Sequence, residues 1–179
     1  MTKTIRYDVS EHAHRFAIWT AARAATRGMA GGTTKNIEKA IGRANLRRFL
    51  ESKANAKNTL DFDSYLKAHD GFCKEIISYF NEIKLECTYG RAAKIVAVYF
   101  KTRLLNLESH PLLNVIFPPI DSVLLKNLAK VFSSEMKHLA DKKWTQFDVG
   151  SYNIIIEAIA KLSVKNNHKF WEVEKYWWP

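Results

Sequence analysis

Lys94 and Asp121 are the two side chains in this sequence whose settings best suit bond-making chemistry. An amine attacks carbon only when it is neutral. A free lysine has a pKa of about 10.4, so only about one in 2,500 is neutral at pH 7. Lys94 falls in the first turns of a strongly apolar segment that begins at Gly90. There the positive end of a helix and burial both disfavour the ammonium form. That is a suitable place for a lysine nucleophile. Asp121 follows Phe117-Pro118-Pro119-Ile120. Between the two residues a helix from Lys94 to Leu107 climbs about 20 Å at ~1.5 Å per residue. An extended return at up to ~3.3 Å per residue covers more than that distance, and prolines favour extension. The pair can therefore meet at one end of the helix. An amine that attacks C1′ of a sugar, next to a carboxylate that offsets the positive charge on that sugar, is a combination suited to breaking an N-glycosidic bond.

The elements that must hold this pair read as helices. Ser10 is expected to cap a helix from Glu11 to Arg27, with Ala13, Phe16, Ala17, Ala21, Ala24 and Ala25 at helical spacing and Gly28 and Gly31-Gly32 as its stop. Thr33 or Thr34 caps a second helix through Ile37, Ala40 and Ile41, and a third lies near Leu46, Phe49 and Leu50. Asp61 or Asp63 starts a long helix through Tyr65, Phe72, Ile76 and Phe80. The segment Arg91 to Leu107 is apolar around most of its circumference, which predicts a central, buried helix. Glu108 to Ile120 is expected to be extended, with Asp121 capping Ser122 to Phe132 and Asp148 capping a helix through Tyr152, Ile155 and Ile159. An aromatic helix from Phe170 to Trp178 closes the chain, with Trp171, Tyr176 and Trp177 expected to lock it to the core. Strand alternation and internal repeats are missing. The expected fold is all-α: one compact domain, residues 1–179, of about eight helices around the central one, with a basic region at 1–60 and the core at 61–179.

The 179 residues, 47% hydrophobic, suffice for one core. No apolar run reaches the roughly 18 residues of a membrane span, and the first residues carry no signal-like core. A cytoplasmic protein, monomeric and without a membrane partner, is the expectation. The two cysteines, Cys73 and Cys87, have no metal-ligand spacing and read as buried thiols, so neither metal nor cofactor is expected. Net charge is +10, and twelve bases against four acids between Met1 and Leu60 account for +8 of it. Such asymmetry points to an anionic partner, nucleic acid first, with an acidic surface or plain solubility as the alternatives.

Gly90-Arg91-Ala92-Ala93-Lys94 followed by Pro118-Pro119-Ile120-Asp121 resembles the catalytic core of the helix-hairpin-helix DNA glycosylase superfamily, most closely its archaeal 8-oxoguanine glycosylase branch. The resemblance covers about Tyr89 to Leu128. It implies an all-α fold, double-stranded DNA as partner, a base flipped out of the helix and excised, and Lys94 and Asp121 as the catalytic residues, with strand cleavage at the abasic site as a possible companion activity. Where the superfamily has a Leu-Pro-Gly-Val-Gly hairpin, this chain has Glu86-Cys87-Thr88-Tyr89-Gly90. The amides at the Gly90 helix start are then expected to hold a phosphate. Arg23 and Arg27, one turn apart, can clamp adjacent phosphates. Arg15, Arg43, Arg47, Tyr89 and Arg91 complete the expected DNA-binding set. Tyr99 and Phe117 are the candidates to stack on the flipped base. By analogy, the added basic third would suit a bacterial defence enzyme that removes modified bases from phage DNA.

Other readings stay open at this level. Lys94 alone also reads as a surface lysine, and Asp121 alone as a helix cap. Lys101 lies roughly on the same helical face as Lys94 and competes with it. Arg6 and His12 fit the Arg-x(4–6)-His spacing of helical HEPN ribonucleases, whereas His12 and His14 are too close in sequence to share a helix face for a metal. A DNA-binding module without catalysis would need only the basic third.

Overall fold

Short polar side chains start most of the helices by accepting the amides that a helix leaves unpaired. The structure, a computed structural model, describes residues 7–54, 60–104, 107 and 109–178. Asp8 caps α1 (Val9–Ala25), accepting from Glu11 N at 2.9 Å, so the helix starts before the expected Ser10. Gly28 and Gly31, both at positive φ, turn the chain after it. Thr33 caps α2 (Thr34–Arg43), and α3 (Leu46–Lys53) follows at once. Asp61 caps α4 (Phe62–Glu82). Next come α5 (Tyr89–Leu104), α6 (Ser122–Val131), the single turn α7 (Ser133–Met136) and α8 (Val149–Lys165), which Asp148 caps. Short 3-10 segments sit at Pro111–Asn114, Lys137–Leu139 and Trp144–Gln146, and a longer one at Phe170–Trp177. The described residues contain no strand. The all-α expectation holds. The aromatic C-terminal segment is a 3-10 helix.

The core forms around α5. From Ala92 to Phe100 every residue of this helix is buried, because α1 lies along one side of it and α4 along another. Alanines make the α1 contact possible: Ala17, Ala21, Ala22 and Ala25 are buried and let the two backbones come close. Phe16, grouped with them in the sequence pattern, points outward and is 51% exposed. The chain returns from α5 through the Pro111–Asn114 turn, and Val115 to Pro118 are buried on the way to Asp121.

His69 lies fully buried where α4 crosses α5, its ring stacked on Tyr152 at 5.4 Å and 3°. Burial, only partly opposed by the charge of Asp70, pushes its pKa from 6.5 down to about 3. The unfolded chain therefore takes up a proton between about pH 6.5 and 3 that the folded chain refuses, and stability falls as pH drops through that window. Between about pH 7 and pH 5 this costs on the order of 2 kcal/mol. His69→Phe, which keeps the stacked ring, is expected to flatten that part of the stability profile in urea melts. An unchanged pH dependence in the variant would contradict the assignment.

Candidate active site

Gly90 starts the construction of the site. Its N–H donates to Phe147 O at 3.0 Å, and Thr88 Oγ1 donates to Thr145 O at 2.8 Å. The two bonds dock the start of α5 on the Trp144–Gln146 turn. A Cβ at residue 90 would stand 1.9 Å from Trp144 O, so this approach requires glycine. The expected phosphate grip at Gly90 is thereby corrected: its amide is spent inside the fold, and Thr88 Oγ1 faces the Arg91 amide at 3.4 Å.

One turn further along α5, Lys94 is 8% exposed. Its Nζ donates to Asp121 Oδ2 at 3.1 Å and lies 4.3 Å from the centre of the Trp144 ring. Asp121 caps α6 with its other oxygen, Oδ1 accepting from Val123 N at 3.0 Å and Leu124 N at 2.9 Å. Oδ2 also accepts from Trp177 Nε1 at 3.0 Å. Asp121 is thus both a helix cap and the ion-pair partner of Lys94; the two meet as expected, although the return, expected to be extended from Glu108 to Ile120, contains a 3-10 turn at Pro111–Asn114.

The pair lines a cleft of about 390 Å³ between α1, α5 and the C-terminal 3-10 segment. That lies within the range of small-ligand sites, roughly 300–1,000 Å³. Thr20 and Ala24 come from α1, Val98 and Lys101 from α5, and Glu174, Trp177 and Trp178 from the C-terminal segment. Burial lowers the Lys94 pKa, and the charge of Asp121 opposes this without cancelling it. The Asp121 pKa is lowered as well, for a different reason. Burial alone would raise its pKa, but the Leu124 amide and the Lys94 ammonium outweigh it and hold the carboxyl below its usual range. The site therefore keeps a firm carboxylate next to an amine that gives up its proton more readily than a free lysine.

Lys101 also lines the cleft, but its ammonium pairs with Glu174. Its side chain is 35% exposed against 9% for Lys94, and only Lys94 is bonded to Asp121. Of the two lysines, Lys94 is the more buried and the one held against Asp121.

Several expected positions are corrected. Tyr99 and Phe117 are completely buried and absent from the cleft wall. Tyr99 faces His14 Nδ1 through its hydroxyl at 2.8 Å, and Phe117 sits among Phe62, Tyr65, His69 and Phe170. Neither can stack on a base. Tyr89 is buried as well, its hydroxyl donating to Asp70 at 3.2 Å. Arg91 donates to the carbonyls of Ala25 and Arg27, which ties down the end of α1. Arg15 and Arg47 share Glu11, Arg47 also holds Glu51, and Arg43 holds Glu75 and Glu82. Each of these partly exposed guanidiniums is matched by a carboxylate, with which a phosphate would have to compete. Arg23 and Arg27 are exposed. Arg6, Lys3 and Lys57 lie outside the described residues, and His12 faces the Tyr7 hydroxyl at 2.6 Å and is not part of the cleft lining.

The sequence did not single out Glu174, Trp177 and Trp178 as wall residues, nor Trp144 as the ring against Lys94. Trp144 carried a signal: a lone tryptophan in the polar run Asp141-Lys142-Lys143-Trp144-Thr145-Gln146. Comparison with known protein families, with curated proteins and with solved structures finds no match to this chain.

Gly90→Ala is expected to destabilise the protein by roughly 1–3 kcal/mol or more, since the clash is with backbone. It should also move Trp144 off Lys94, seen as a change in tryptophan emission. A variant as stable as the wild type would contradict this account of the glycine.

Proposed function

We propose that this chain is a DNA glycosylase that takes a modified nucleotide into the cleft and excises its base, with Lys94 as nucleophile and Asp121 as the electrostatic partner of the sugar. The observation that carries the reading is the buried contact of Lys94 Nζ with Asp121 Oδ2, at 3.1 Å on the wall of a cleft wide enough for a ligand. An ion pair serving stability alone gains little from burial, because desolvating both charges offsets their attraction.

The chemistry follows from the two shifted groups. Lys94 first loses a proton to solvent, which its lowered pKa favours. The amine lone pair then forms a bond to C1′ while the C1′–N bond to the base breaks, its electrons leaving with the base. A proton from the newly bonded nitrogen passes to the departing base. Asp121, which has lost the ammonium as a partner but keeps the Trp177 N–H and the α6 amides, faces the positive charge that builds on the sugar. A preorganised anion of this kind acts mainly in the transition state. Opening of the sugar ring leaves a Schiff base on Lys94, and water releases it.

The test is single-turnover excision from oligonucleotides carrying a panel of modified bases. Asp121→Asn should retain the helix cap and DNA binding yet lose on the order of 10²–10³ in rate. In the wild type the rate should rise with pH through one ionisation lying below 10.5, the amine being the reactive form. In Asp121→Asn that ionisation should move lower still, because the charge that raises the Lys94 pKa is gone. Full-rate excision by Asp121→Asn, or by a folded Lys94→Met, would overturn the assignment.

A further inference from the structure

The outward side of α1 exposes two large aromatic rings. Phe16 is 51% exposed and Trp19 is 48% exposed, and their rings stack with centroids 5.8 Å apart and planes 23° from parallel. The Arg23 guanidinium lies 5.6 Å from the Trp19 ring centre, one turn further on, and Arg27 follows it. Neither arginine is in an ion pair among the described residues. Between Glu11 and Glu38 the chain has no acidic residue at all. This surface is therefore aromatic and cationic with no carboxylate of its own.

The ledge leads to the cleft. Thr20 is one turn from Phe16, donating to Phe16 O at 2.8 Å, and Thr20 is part of the cleft wall. On the opposite wall Trp178 is 73% exposed. Aromatic faces of this kind are of use to nucleobases only when the bases are unstacked, and in a duplex the base faces are covered by their neighbours. Successive bases of a single strand stack on such side chains while nearby cations take the phosphates. We propose that the Phe16–Trp19 ledge is a track for single-stranded DNA, with bases on the two rings and phosphates at Arg23 and Arg27, leading one nucleotide into the Lys94–Asp121 cleft. The last step and the choice of DNA over RNA rest on the glycosylase reading; the stacking of an unpaired strand on the ledge does not. The charge argues for this occupant over an apolar protein face, because Arg23 lies against the Trp19 ring and Arg27 is exposed one turn beyond it.

The experiment is fluorescence anisotropy with a labelled oligothymidylate, its duplex with oligoadenylate, and oligouridylate. The single DNA strand should bind more tightly than the duplex and the RNA. Trp19→Ala should weaken single-strand binding roughly 5- to 150-fold. Duplex binding should barely change, and Trp19→Phe should keep most of the affinity. Circular dichroism should report an intact fold, as expected for an exposed side chain. Equal affinity for duplex, preference for RNA, or normal single-strand binding by both Phe16→Ala and Trp19→Ala would overturn the proposal. So would a wild-type dimer in sedimentation that Trp19→Ala dissociates, since the ledge would then be an interface between copies. If Trp19-dependent single-strand binding is found while no excision occurs, the glycosylase reading fails and the track stands.

Discussion

A lysine ammonium and an aspartate carboxylate held together out of water need many supporting contacts, and much of this molecule supplies them. Desolvation of such a pair can cost as much as the attraction between the charges returns. Here the carboxylate receives four hydrogen bonds, two from the first turn of α6, one from Trp177 and one from Lys94. The ammonium has fewer partners, the carboxylate and the face of Trp144. That inequality fixes the electrostatics: the acid is pinned in its charged form, and the base is the member that can change.

The placement of the tryptophans shows how remote choices serve the pair. Trp144 reaches Lys94 because its turn is bonded to the start of α5 and because residue 90 has no side chain to hold it off. Trp177 reaches Asp121 because Asn127 of α6 donates to the carbonyl of Tyr176 at 3.0 Å and Lys101 binds Glu174, so the C-terminal segment is fastened at two points along the cleft. Loss of either fastening would disturb the Trp177 hydrogen bond to Asp121.

The helices were legible in the sequence because their signals are local. Asp61, Asp121 and Asp148 each precede an apolar period, and each caps a helix. The buried α5 was legible because apolar residues cover nearly its whole circumference. The Lys94–Asp121 contact was accessible through chain length and proline stiffness alone. What failed was the facing of single aromatics. Tyr99 and Phe117 lie near the pair in sequence, but Tyr99 is buried against His14 of α1 and Phe117 against Phe170, and neither lines the cleft. Phe16 has the spacing of a core residue, yet the close, alanine-lined contact of α1 with α5 leaves no room for a large ring, which turns outward. The basic third looked like one uniform patch because the sequence does not reveal that Glu75 and Glu82 come across from α4 to meet Arg43.

Borohydride reduction on DNA with an abasic site tests most directly the proposal that Lys94 is a nucleophile, without knowledge of the base that is removed. Peptide mapping by mass spectrometry should place the reduced adduct on Lys94, with Asp121→Asn still forming it and Lys94→Met losing it. An adduct spread over surface lysines, an adduct on Lys101, or no adduct at all would contradict the account.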